Sequence, residues 1–348
     1  MTGPVMSENA KPRRGIAWVL LAVGVGGIAL FITLLMRHGM ADIAGAVAAA
    51  RWGVLAVIVA HVVPLALDTM GWRALIAAEQ RLPYLRLLQL RWIGDSVSAM
   101  LPVAQVGGEV VRVRLAAARG MKISVAAATV IAGMTVCVGT QVVFTLAGLG
   151  MLIARTGKST MIWPALGGTV IFAAAIGGFY AVQRVGIFRI LSGMAKHLLK
   201  SESFSKMLQD GKALDEELHK VYERRRGLVE SSLWNLAVWA TGAIEVWIAL
   251  RALGIPATYM DAFILESASQ AIRSAFFVVP GALGVQEGGY VVIGAMLGID
   301  APTALALALI RRARELAFGI PGVLGWQVSE GKHWLRRRSL APAIEQSP

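Results

Sequence analysis

Phe277-Val278-Val279-Pro280-Gly281-Ala282-Leu283-Gly284-Val285-Gln286-Glu287-Gly288 lies between apolar flanks, and 178 residues before Pro280 stands Pro102, in Leu101-Pro102-Val103-Ala104-Gln105-Val106-Gly107-Gly108-Glu109. In both stretches a carboxylate follows the proline by seven positions, and a charged residue then serine precedes it by seven, as Asp95-Ser96 and Arg273-Ser274. Proline removes a backbone donor and clashes with the preceding turn, so neither stretch reads as an uninterrupted helix. Paired Pro/Gly breaks carrying charge within apolar surroundings are the way a two-repeat membrane protein builds a polar site at the bilayer midplane.

Working outward, the 348 residues are 56% apolar and only 16% charged, with a mean hydropathy of +0.64. That is more apolar surface than a soluble core of this length buries, so the bilayer is the expected solvent. Apolar stretches long enough to span are read at 16–36, 52–68, 123–153, 161–183, 231–253 and 302–326. The first is longer than a signal-peptide core, lacks a small-residue cleavage site and is taken as a retained span. The expected fold is therefore an all-α integral membrane protein, a polytopic helical bundle of about six full spans plus two inverted re-entrant or broken-helix segments. Its organisation reads as a cytoplasmic tail over 1–15, one membrane-embedded domain over 16–326 with a polar cytoplasmic loop at 184–230, and a basic cytoplasmic tail over 327–348. Residues 39–50 read as a short interfacial helix. The loop, with Asp215-Glu216-Glu217 and then Arg224-Arg225-Arg226, reads as a solvated helical hairpin.

Net charge is +13. In a soluble protein that excess would suggest nucleic acid. Here 25 of the 34 Lys and Arg fall in segments assigned to the cytoplasm, five fall outside and four (Arg273, Arg311, Arg312, Arg314) within the membrane, which is the positive-inside bias. Nucleic acid is set aside as a partner, and anionic lipid headgroups take its place. The same bias decides how the breaks sit. A full crossing at 92–109 would put the basic stretches 73–91 and 112–122 on opposite faces, so that segment is expected to enter and leave by the cytoplasmic side. An odd number of spans then separates it from 262–299, which must dip from the other side, with both termini cytoplasmic. The competing reading is that proline and glycine only kink two continuous helices.

Cys137 is the only cysteine, which rules out a disulfide within the chain and a thiolate cluster. The five histidines show no ligand spacing, and no nucleophile-elbow, P-loop or zinc-protease pattern occurs. No metal, no cofactor and no catalytic residues are expected.

Charge within hydrocarbon costs roughly 2.5 to 3.5 kcal/mol per residue at a helix centre even on the lenient insertion scale, so it is kept where it is paired or used. Glu266, Gln270 and Arg273 share one helix face at i, i+4 and i+7, and Arg311, Arg312, Arg314 and Glu315 interrupt an apolar helix midway. Three guanidiniums so close call for carboxylates or for a bound anion, and arginine is the side chain that grips phosphate with a planar fork. Two readings stand side by side: a phosphate-bearing headgroup, or pairing with Glu109, Glu245 or Glu287 that closes the bundle. Outward placement of the last span, with the arginines reaching an interface, is a third. Glu109 and Glu287 could meet ligand, exchange protons or cap helices. Glu245 reads as a pairing partner, Asp68 as a residue near a span end, and Arg112 as a headgroup guide or an orientation determinant.

At these residues the chain resembles a known family. Val103 to Arg112 looks like the first signature, and Phe277 to Gly288 the second, of flippase-like membrane proteins related to the transmembrane region of lysylphosphatidylglycerol synthase. The likeness extends over about residues 15 to 330, and the second signature is also similar to the hopanoid-biosynthesis-associated branch. The resemblance implies a multi-pass protein of the bacterial inner membrane associated with lipid translocation, not an enzyme. Full-length synthases of this kind carry a soluble transferase domain after the membrane region, whereas about 20 residues follow the last span here, so synthesis by this chain alone is not expected. The substrate-binding candidates are Glu109, Arg112, Glu266, Arg273, Glu287, Arg311, Arg312, Arg314 and Glu315, around breaks at Pro102, Gly107, Gly108, Pro280, Gly281 and Gly284. Membrane lipids are the expected partners, anionic, zwitterionic or hopanoid in type. The alternative is a non-transporting companion of lipid or hopanoid biosynthesis enzymes.

Overall fold

The computed structural model describes residues 52–100, 107–157, 202–276 and 282–344, with isolated positions between 32 and 50. Most of the span read at 16–36, the whole of that at 161–183, most of the 39–50 stretch, and Pro102, Pro280 and Gly281 lie outside the described residues. Within them all regular structure is helical: α1 (Trp52–Ala60), α2 (Val62–Leu75), α3 (Tyr84–Met100), α4 (Gly107–Ala117), α5 (Ile123–Thr156), α6 (Glu202–Glu223), α7 (Arg225–Ala252), α8 (Tyr259–Ala275), α9 (Val285–Met296) and α10 (Ala301–Ile344).

The distribution of polarity is that of a membrane protein. Glu245, Glu266, Glu287 and Arg112 are buried, while Leu233 on α7 and Leu316, Ile320 and Leu324 on α10 are half exposed or more. The last three recur every four residues and so form one apolar stripe. A soluble protein places its charges the other way round. Among the described residues, Trp52–Leu75, Ile123–Thr156 and Arg225–Ala252 are long and apolar enough to cross a bilayer. α10 carries its charges at 311–315 in mid-helix and runs on past Trp326 to Ile344, so the segment read as a separate basic tail continues the last helix.

Each break divides two helices that lie against one another. α3 stops at Met100, two residues before Pro102, and α4 starts at Gly107 and folds back along it, as the helix-terminating effect on residues before proline anticipates. A methyl group on Gly108 would fall 1.9 Å from the carbonyl oxygen of Gly94, so the two backbones touch there and only glycine fits. The second hairpin opens with a capping box, in which the Thr258 hydroxyl accepts from Asp261 N at 3.2 Å and the Asp261 carboxylate accepts from Thr258 N at 2.9 Å. It turns through Ala282 and Gly284, both at positive φ (48° and 78°), and the Glu287 carboxylate accepts from Gly284 N at 2.7 Å at the start of α9. Gln286 then donates to Ser269 at 2.8 Å, tying α9 back to α8. These are hairpins, and the reading of two merely kinked helices is set aside.

The halves pack crosswise. α2 lies on α7; α5, which follows the first hairpin, packs on α8; and α10, which follows the second, packs on α3. Both crossings use the same device. A methyl on Gly148 of α5 would meet the Ser267 hydroxyl at 1.7 Å, and one on Gly322 of α10 would meet the Ser96 hydroxyl at 1.9 Å. Small residues let helices approach closely where lipid removes the hydrophobic drive to associate. The 184–230 interval is not a free hairpin where it is described: α6 buries Leu218, Val221 and Tyr222 against Leu75, Ala128 and Ala132, and α7 carries straight from Arg225 into the bundle.

Candidate functional site

Two charged networks occupy the interior. The first gathers on α2, α3 and α4. Arg91 meets Asp68 at 2.5 Å, Asp95 at 3.1 Å and Glu109 at 3.9 Å, and Arg112 pairs with Glu109. Arg112 sits 4.7 Å from the centre of the Trp72 ring, a cation–π distance. Its side chain is 3% exposed, yet Nε and Nη1 have no hydrogen-bond partner.

This network opens onto a cavity of about 410 Å³. Asp68, Trp72, Arg91, Glu109 and Arg112 form one wall, and Gln270, Arg273 and Ser274 of α8 come from the opposite half. Gln141 of α5 donates to the Gln270 carbonyl at 2.9 Å and to the Ser274 hydroxyl at 2.7 Å, fixing that side. Asn235 and Ser231 of α7 also face the cavity, and the Ser231 hydroxyl is buried without a partner. A cavity of a few hundred Å³ is the usual size for a small-molecule site.

The second network surrounds the α10 arginines and matches them with carboxylates one for one. Arg311 grips both oxygens of Glu266, one of them at 3.1 Å, and Glu266 also accepts from Gln270 at 2.7 Å. Arg314 pairs with Glu245, whose other oxygen is 2.9 Å from His61 Nδ1. Arg312 reaches Glu287 at 2.8 Å and Glu315 at 2.7 Å, and Arg273 reaches Glu315 at 2.8 Å. Four guanidiniums thus face Glu245, Glu266, Glu287 and Glu315. Three readings stood open for Arg311, Arg312 and Arg314, and this arrangement is the paired one, with Glu245 and Glu287 as expected, Glu266 and Glu315 in addition, and Glu109 in the other network. Arg273 alone among these arginines also lines the cavity.

Of the candidates from sequence, Glu109, Arg112 and Arg273 come together at the cavity, whereas Glu266, Glu287, Arg311, Arg312 and Glu315 join α8, α9 and α10, and Arg314 joins α10 to Glu245 of α7. Gly107 and Gly108 open α4, and Gly284 precedes α9. Asp68, read as a residue near a span end, lies within a helix that continues to Leu75, and its carboxylate pairs with Arg91. Arg91, counted with the cytoplasmic charges, is an interior residue of the same network. The i, i+4 pair Arg91/Asp95 at the threshold of the first break was the available signal. His61 carried none, since its partner Glu245 is 184 positions away.

A lipid-facing apolar exterior, an ion-paired interior and a cavity between two broken-helix hairpins define a multi-pass helical membrane protein with an internal polar site. The family model described as the lysylphosphatidylglycerol synthase TM region matches residues 18–322, and the chain belongs to that family. It is 25% identical over 329 residues to the UPF0104 membrane protein PH1989 of Pyrococcus horikoshii, an alignment covering 89% of this chain and 93% of that protein. No solved structure matches the chain.

Proposed function

We propose that the chain translocates a membrane lipid, seating a phosphate-bearing headgroup in the cavity between its two halves while the acyl chains stay in the bilayer. The observation that carries this reading is Arg112. It is a buried guanidinium beneath Trp72, held by Glu109 on one side and left with two nitrogens unpartnered beside a cavity. A buried donor without an acceptor costs about 1 to 3 kcal/mol, more when charged, and a phosphate oxygen removes that cost. Gln141, Asn235, Gln270 and Ser274 offer neutral donors and acceptors around the same space. The α10 arginines, already matched by carboxylates, support the architecture rather than the headgroup. The chain acts as a transporter and not an enzyme, in the bacterial cytoplasmic membrane with both termini cytoplasmic.

A leaflet-exchange assay in proteoliposomes tests this. Fluorescent phospholipid should exchange faster with the protein than in empty vesicles, and Arg112→Gln should remove most of the gain without unfolding the protein. Exchange no faster than in empty vesicles, across anionic and zwitterionic headgroups, would overturn the proposal.

A further inference from the structure

The cavity is lined by three guanidiniums, Arg91, Arg112 and Arg273, and by two carboxylates, Asp68 and Glu109. Arg91 and Arg112 answer those two acids, and the third cation comes from the opposite half. Arg273 stands on α8 between two points that Gln141 of α5 pins, the Gln270 carbonyl at 2.9 Å and the Ser274 hydroxyl at 2.7 Å. Its Nη1 donates to Glu315 at 2.8 Å, and Glu315 is its one ionic partner among the described residues. Glu315 is held as well by Arg312 at 2.7 Å, so its charge does not call on the whole of the Arg273 fork. A guanidinium carries five donors in one plane, and with Nη1 on Glu315 the Arg273 side chain is still 21% exposed and lines the cavity.

Arg112 repeats the arrangement from the first half. Glu109 holds one edge of it, while Nε and Nη1 are buried without an acceptor. Each half thus brings to the cavity one arginine that a carboxylate of its own half holds in place and that has donors left over. A phosphodiester offers two anionic oxygens, and guanidinium donors to such oxygens make hydrogen bonds about twice as strong as neutral ones. We infer that the headgroup phosphate is clamped between Arg112 and Arg273, one oxygen on each, with Glu315 as the positioning residue that holds Arg273 at the wall. Arg273 is a ligand of the phosphate in its own right and not only a closing member of the α8–α10 packing. The headgroup ties the two halves together at the cavity. This rests on the lipid-headgroup reading above and adds the second half's ligand to it.

Calorimetric titration of the full chain in detergent with a short-chain phosphatidylglycerol reads the affinity, and phosphorus NMR of the bound lipid reads the phosphate itself. Arg273→Gln should weaken binding roughly tenfold or more, the scale of losing one charge-assisted hydrogen bond. Arg273→Lys keeps a charge on Glu315 but not the planar fork; it should weaken binding and move the bound phosphorus resonance, and Glu315→Gln, acting through Arg273, should move the same resonance. Parent-like affinity in Arg273→Gln, or weakened binding with the resonance unmoved in Arg273→Lys, makes Arg273 a packing residue and overturns the clamp while the Arg112 site stands. Absence of binding by the unmodified chain overturns the lipid-headgroup reading itself. Inorganic phosphate replaces the lipid in a further titration: equal affinity, with the same loss in Arg273→Gln, would keep the two-arginine clamp and remove the lipid from it. Should Arg273→Gln fail to fold, Arg273→Lys decides, and parent-like affinity with an unmoved resonance overturns the proposal.

Discussion

Replacing Arg311 by methionine tests whether the α10 arginines hold the bundle or a ligand. Arg311 and Glu266 are 6% and 2% exposed at their side chains, and the guanidinium meets both carboxylate oxygens. Without it, Glu266 keeps only the Gln270 amide at 2.7 Å as a partner among these contacts. Removing one member of a buried pair costs about 3 to 5 kcal/mol, because the remaining charge is stranded, whereas replacing both members with neutral groups of similar volume is often close to neutral. Arg311→Met and Glu266→Gln should each therefore destabilise strongly. The double variant should recover most of the loss, giving a coupling energy of about 3 kcal/mol in a double-mutant cycle. SDS unfolding of the purified protein in mixed micelles, followed by tryptophan fluorescence, supplies the numbers. If Arg311→Met were as stable as the parent without lipid and yet lost leaflet exchange, the arginine would be held for ligand and the structural assignment would be refuted.

Gly108→Ala should destabilise by about 1 to 3 kcal/mol or more, since its methyl would meet the Gly94 carbonyl, a backbone atom that cannot swing aside; Gly150→Ala, with nothing within 4 Å, should leave the same unfolding midpoint unchanged. Trp72→Leu should weaken short-chain lipid binding by removing the ring over Arg112, with an expected loss of about 0.5 to 2 kcal/mol read by calorimetry. Leu233→Asp on the exposed face of α7 should impair membrane insertion, by less than the roughly 2.5 to 3.5 kcal/mol that an aspartate costs at a helix centre, in a glycosylation-mapping assay. Topology reporters placed after Ala118 and after Arg251 should label from opposite sides; labelling from one side would overturn the inverted arrangement.

The breaks were legible because their signal is local. Proline and glycine act on their own turn, so Leu101-Pro102 announced the end of α3, and Gly284 with Glu287 announced the start of α9. The need of Arg311 to Glu315 for counter-charge was legible too, from the cost of ions in oil. Which counter-charges meet them was not, because Arg314 finds Glu245 across 69 positions and Arg311 finds Glu266 across 45. Arg91 was misplaced for a related reason: a basic residue near a segment end scores as a loop charge in any tally of orientation, and only the return of α4 along α3 turns it inward. The docking of α6 likewise depends on Leu218, Val221 and Tyr222 meeting α5, a contact that the charge-rich composition of that stretch masks.

The reciprocal glycine–serine crossings have a mechanical consequence. Because α5 is clasped by the second half and α10 by the first, neither half can tilt as a free rocker; each carries the other's hairpin with it. The chamber is walled by both halves, so a change in its shape requires both crossings to shift together.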